Sequence, residues 1–122
     1  MKIFILEDTT ERIESFKSRL SKHDLTIFTD NATEAQEAIK NNNYDIILLD
    51  HDLGSKHGMD SVEQDTGYQF ALIMVNNNLQ KDATIIIHSM NPTGANHILN
   101  LLRLHDYNVQ WIPFSMLKLE GK

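Results

Sequence analysis

Asp45-Ile46-Ile47-Leu48-Leu49-Asp50-His51-Asp52-Leu53-Gly54 is the stretch on which the reading of this chain turns. The apolar run Ile46 to Leu49 is short, unbroken and bounded by polar stops. That pattern predicts a strand buried on both faces, as in a parallel sheet. The run ends at two carboxylates, Asp50 and Asp52, with His51 between them. Acidic side chains just past the carboxyl end of such a strand fall where open α/β sheets bind ligands. Packing supplies no reason for two carboxylates and an imidazole there, so the segment is read as the floor of a site.

Outward from that strand, the chain alternates between two periods. Before it, Lys2 to Leu6 reads as a first strand, ending in the acidic pair Glu7-Asp8. Asp8, Thr9 or Thr10 can cap the helix that follows, which shows Ile13, Phe16 and Leu20 on one stripe. Leu25 to Phe28 is a second strand. Asn31 with Glu34 resembles a capping box, and Ala35, Ala38 and Ile39 give the second helix a narrow apolar face. After Leu53, Gly54 to Asp60 is a polar, glycine-containing loop, long for a βα connection. A helix beginning near Thr66 carries Phe70, Ile73 and Met74 inward. Ala83 to Ile87 is a fourth strand, and Ile98, Leu101, Leu102 and His105 follow at helical spacing, with His105 read as packing. Val109 to Ile112 is a fifth strand, stopped by Pro113. The tail to Lys122 allows one or two turns of helix.

Strand-helix alternation implies right-handed crossovers and an α/β three-layer sandwich. Five strands suggest the flavodoxin-like order 2-1-3-4-5, in which strands one and three are neighbours. Glu7, Asp8, Asp50 and Asp52 then converge from two adjacent strand ends. The truncated last helix leaves part of one sheet face thinly covered, a surface for a homodimer or a partner protein.

Composition narrows the function classes. The 122 residues suit a single domain, 1–122, and 41% hydrophobic residues suffice for a core. A formal net charge of -6 argues against bulk nucleic-acid binding, which needs Lys and Arg for phosphate contacts. The absence of cysteine removes disulfides, thiolate metal sites and thiol catalysis. No apolar segment is long enough for a signal peptide or a membrane span, and a cytoplasmic protein is expected.

Clustered carboxylates repel one another unless a cation neutralises them. Hard divalent ions, Mg2+ or Mn2+, suit oxygen ligands. Asp8 and Asp50 are assigned as ligands, with Glu7 nearby and Asp52 completing the set; helix capping is the competing reading of Glu7 or Asp8. His51 and His88 suit acid–base work or metal ligation, against a competing reading as buried structural histidines. Alternation along the strand lets Asp50 and Asp52 share a direction while His51 points into the helix layer. Ser89, Asn91 and Gly94, around Asn91-Pro92-Thr93-Gly94 at a helix start, suit a phosphate group, and a plain capped turn is the alternative.

These motifs resemble receiver domains, the phosphoacceptor modules of two-component signalling. Ile5-Leu6-Glu7-Asp8 matches the acidic pair after the first strand, and Asp45 to Asp50 matches the third strand with Asp50 at the phosphoacceptor position. Asp65-Thr66-Gly67 matches the lead into the third helix, Ser89 the switch hydroxyl and Pro113-Phe114 the end of Lys-Pro-Phe. Ile112 stands where that family carries its phosphoryl-binding Lys. Leu49-Asp50-His51-Asp52-Leu53, Thr66-Gly67 and His88-Ser89-Met90-Asn91 with Gly94-Ala95 are most similar to the cyclic-phosphate processing receiver-like domains. That resemblance implies metal-dependent phosphoester chemistry on a cyclic or terminal phosphate ligand, with Asp50, His51 and His88 as catalytic groups. Two alternatives stay open: a receiver phosphorylated at Asp50 in a relay, and a non-catalytic pseudo-receiver that binds other proteins.

Overall fold

A computed structural model describes residues 1–7, 9–28, 32–50, 67–89 and 92–116. The elements are β1 (Lys2–Leu6), α1 (Thr10–Arg19), β2 (Asp24–Phe28), α2 (Ala32–Asn41), β3 (Ile46–Leu49), α3 (Gly67–Asn76), β4 (Thr84–Ile87), α4 (Pro92–Leu104) and β5 (Asn108–Trp111), followed by a 3-10 turn at Phe114–Met116. All four strand pairings are parallel, in the order β2-β1-β3-β4-β5. The expected flavodoxin-like α/β order is therefore the observed one. No helix among the described residues is long and apolar enough to cross a membrane.

Alternation along the strands sorts side chains into two cores. Phe4 and Leu6 of β1, Ile47 and Leu49 of β3, and Ile85 and Ile87 of β4 face α2, α3 and α4. Ile3, Ile5 and Leu48 face α1, where Phe16 and Leu20 cover them. This second core is smaller. Ile46, Ile86 and Ile112 on it remain half-buried, because past β5 the described residues supply only the 3-10 turn.

Three local expectations are corrected. His105 lies past the end of α4 and is exposed; its carbonyl accepts a hydrogen bond from Lys81 Nζ. Helical spacing placed it on the apolar stripe, but α4 stops at Leu104. On α3, Ala71 is buried and Ile73 is only partly so. That helix is apolar nearly all round, so its sequence marks no single face. At α1, Thr9 occupies the N-cap position but its side chain makes no capping bond. Its backbone N–H instead donates to Glu7 Oε2 at 2.9 Å. Asn31, with its expected capping box, lies outside the described residues.

Candidate functional site at the carboxyl edge of the sheet

The strand register sets the site. Leu6 pairs with Leu49, and Leu49 with Ile87. The ladder then continues one residue beyond the strands. Asp50 N–H donates to the Leu6 carbonyl at 3.2 Å, His88 N–H to the Leu49 carbonyl at 2.9 Å, and Ile112 N–H to the Ile87 carbonyl at 2.9 Å. Glu7, Asp50, His88 and Ile112 thus form the next rung, in that spatial order. Each lies two residues after a residue on the α1 side (Ile5, Leu48, Ile86 and, on β5, Gln110), so all four share that face.

Glu7 and His88 lean toward each other across the β3 position between them. Glu7 Oε1 lies 3.4 Å from His88 Nδ1, and neither side chain has solvent exposure. The Phe16 ring closes the cluster from α1, edge-on to the imidazole with centroids 5.3 Å apart. Arg12, from the first turn of α1, brings a guanidinium nitrogen to 3.6 Å from Glu7 Oε1. Asp50 retains 6% exposure, which makes it the rung's carboxylate nearest to solvent.

Burial dominates the electrostatics. It pushes the Glu7 carboxyl above its ordinary range, and the like charge of Asp50 adds to that; the Thr9 hydrogen bond and Arg12 pull it back. Burial, seconded by the positive charge of Arg12, lowers His88 to about 3. His88 is therefore a neutral imidazole near pH 7, not an imidazolium. Neither its Nδ1 nor its Nε2 has a hydrogen-bond partner, and Glu7 Oε1 has none. Leaving such groups unpaired costs roughly 1–3 kcal/mol each.

Of the residues singled out from sequence, Glu7, Asp50 and His88 are brought together. Asp8, His51, Asp52 and Asn91 lie outside the described residues. Ser89 follows His88 and is buried, with its carbonyl accepting from Trp111 Nε1 at 2.9 Å. Gly94 is buried in the first turn of α4. His97 is exposed on α4, edge-on to Tyr68. Arg12 went unnoticed in the sequence. Its signal was a basic residue one helical turn into α1, opposite an otherwise acidic set of strand ends.

Among the described residues no group of three or more His, Asp or Glu is arranged to hold a metal ion. Two carboxylates do meet. Glu7 has a buried oxygen without a hydrogen bond and repels Asp50, and a cation between them would relieve both penalties. The donor pair fits a hard divalent ion.

Comparisons with known proteins agree with this fold. The family model described as the cyclic-phosphate processing receiver domain matches residues 1–104. No curated protein matches. Among solved structures, the chain is similar to the receiver domain of a Francisella response regulator, with 23% identity and a TM-score of 0.66 over 94% of this chain and 86% of that one. It is similar to the receiver domain of a sensor histidine kinase from Pseudomonas aeruginosa that has a magnesium ion coordinated in its active-site cleft (17% identity, TM-score 0.65, 92% and 83% covered). A response regulator from Burkholderia pseudomallei carrying a phosphorylated aspartic acid matches at 15% identity and TM-score 0.64, over 90% of this chain and 58% of that one.

Proposed function

The chain belongs to the family of cyclic-phosphate processing receiver domains, and on that premise we propose that its carboxyl-edge rung holds Mg2+ or Mn2+ and hydrolyses a small cyclic or terminal phosphoester. One observation carries the reading. Glu7 is a fully buried carboxyl beside Asp50 with one oxygen lacking a hydrogen bond. A fold built only for stability has no use for that arrangement.

Glu7 and Asp50 would hold the ion, with Asp8 and Asp52 as further donors. When bound, it supplies charge neutralisation for a phosphate oxygen and a lowered pKa for water. The chain's own residues do the rest. The Thr9 N–H holds Glu7 Oε2 and the Arg12 guanidinium lies beside Oε1, so both oxygens of the carboxylate are fixed. His88, neutral and out of solvent, packs against Glu7 at 3.4 Å, a role in which no proton reaches substrate. Asp50, at the solvent margin, is the described group within reach of a reacting water. Ser89, Asn91 and the start of α4 with Gly94 would orient the phosphate. In hydrolysis the water oxygen bonds to phosphorus as one of its protons passes to Asp50, the P–O ester bond breaks, and the departing oxygen takes up that proton and leaves as a hydroxyl.

A second reading is favoured by the position of Asp50 just past the end of β3, together with the similarity in fold to the Burkholderia response regulator, which carries a phosphorylated aspartic acid. In it Asp50 accepts a phosphoryl group as part of a signalling relay. Ile112 counts against stable phosphorylation, since an aliphatic side chain on this rung offers the phosphoryl group no charge.

The experiment that separates them follows 2′,3′-cyclic nucleoside monophosphates by phosphorus NMR with the protein and Mn2+. Intact protein mass is measured in parallel after incubation with acetyl phosphate. Ring opening that Asp50→Asn reduces by at least about 100-fold supports the hydrolase. A phosphoryl mass gain that Asp50→Asn abolishes, without ring opening, supports the relay. Neither signal, with Mn2+ present in millimolar amounts, overturns both.

A further inference from the structure

The outer faces of α3 and α4 carry an apolar stripe that no described element covers. On α3, Tyr68, Leu72 and Val75 recur at helical spacing and are only half-buried; on α4, at the same spacing, Leu101 is half-buried and His97 and Leu104 are exposed. Leu104 is 77% exposed, the most exposed large apolar side chain among the described residues. Beside it, Tyr68, His97, Asn100, Leu101 and Leu104 line an open groove of about 400 Å3. A protruding leucine and a groove large enough to receive one lie on the same surface.

Charge points to the occupant. The molecule has a formal net charge of -6, so two copies repel across most of their surfaces. α3 contains no charged residue, and the one on α4 is Arg103. Neither helix therefore brings a carboxylate to this face, so two copies can approach there without opposing acidic residues on α3 and α4. We propose that α3 and α4 form an isologous interface between two copies of this chain, each Leu104 seated in the groove of the other. Two helices side by side, of ten and thirteen residues, give a footprint of roughly 20 by 20 Å. That is about half the surface per partner of a standard stable interface, so the dimer is transient and forms at tens of micromolar or above.

The test is sedimentation analysis of the full chain from about 5 to about 500 μM. The wild type is expected to move from 14.0 kDa to twice that mass. Leu104→Glu places two carboxylates in the interface and raises the dissociation constant by at least about tenfold. Leu104 is exposed, so folding is unaffected, and circular dichroism checks this. Gln110→Arg alters the α1 side of the sheet, the thinly covered face, and leaves the dimer intact. A wild type that stays monomeric throughout overturns the proposal. So does Leu104→Glu dimerising like the wild type, or a dimer dissolved by Gln110→Arg alone, which assigns the interface to the other face.

Discussion

The two ends of the same sheet are built to opposite rules. At the amino edge, Gln80 is buried with φ 59, and every arm of its amide is used. Its Nε2 donates to the Ile39 carbonyl at 2.8 Å and to the Asn42 carbonyl, and its Oε1 accepts from Tyr44 N–H at 3.1 Å. Tyr107 Oη reaches the Met74 and Leu79 carbonyls, and Asp45 Oδ2 accepts from Lys2 N–H at 2.8 Å. At the carboxyl edge, Glu7 Oε1 and both His88 nitrogens are equally dry and make no hydrogen bond, and Glu7 Oε1 has longer contacts to Arg12 and His88. The amino edge spends its polar groups on tying α2 and the turn before β4 together. The carboxyl edge keeps polar groups unsatisfied, which costs stability and leaves donors for a ligand.

The sharpest way to break this contrast is to delete one polar group at each end. Gln80→Leu leaves two carbonyls and one N–H without their partner and is expected to lose about 3 kcal/mol or more in urea unfolding. His88→Leu removes a group that makes no hydrogen bond, so stability should be unchanged or higher. A His88→Leu loss as large as that of Gln80→Leu would mean that the imidazole is a structural keystone after all.

The pH dependence of stability sharpens it next. His88 drops from 6.5 to about 3 on folding, so between those values the unfolded chain binds more protons. Its contribution is intact above pH 6.5 and is lost as pH falls toward 3, with a slope of up to about 1.4 kcal/mol per pH unit. Glu7 has the opposite sign: its raised pKa makes the native state bind more protons just above 4.5, so stability falls as pH rises through its folded value. His88→Leu should flatten the acid limb, and Glu7→Gln the limb above pH 4.5, both read from urea midpoints in metal-free buffer. The smallest expected effect is at the amino edge. Tyr107→Phe removes one shared hydroxyl bond and should cost about 1 kcal/mol.

The comparison also explains what could be read from sequence. Strand order, helix order and the acidic strand tips were legible because Ile46 to Leu49, Lys2 to Leu6 and Ala83 to Ile87 are short apolar runs ending in polar residues, a signal local to each run. Long-range pairings were not. Glu7 meets His88 only because β3 brings β1 and β4 to the same level, and Arg12 reaches Glu7 only through the crossing of α1. Gln80 looks like an ordinary turn residue, and nothing near it in the chain reveals Ile39 and Asn42 as its partners. Ile73 and His105 failed for a related reason: helical spacing fixes a face but not where the helix stops or which of its sides is covered.

The central claim is that the acidic pair at the carboxyl edge is a cation site and the amino edge is not. Mn2+ titration followed by electron paramagnetic resonance tests it directly, on the wild type, Asp50→Asn and Asp45→Asn. Wild type and Asp45→Asn are expected to bind one ion alike, and Asp50→Asn to bind at least about tenfold more weakly. Equal binding by Asp50→Asn and the wild type, or no binding by the wild type at millimolar Mn2+, would contradict it.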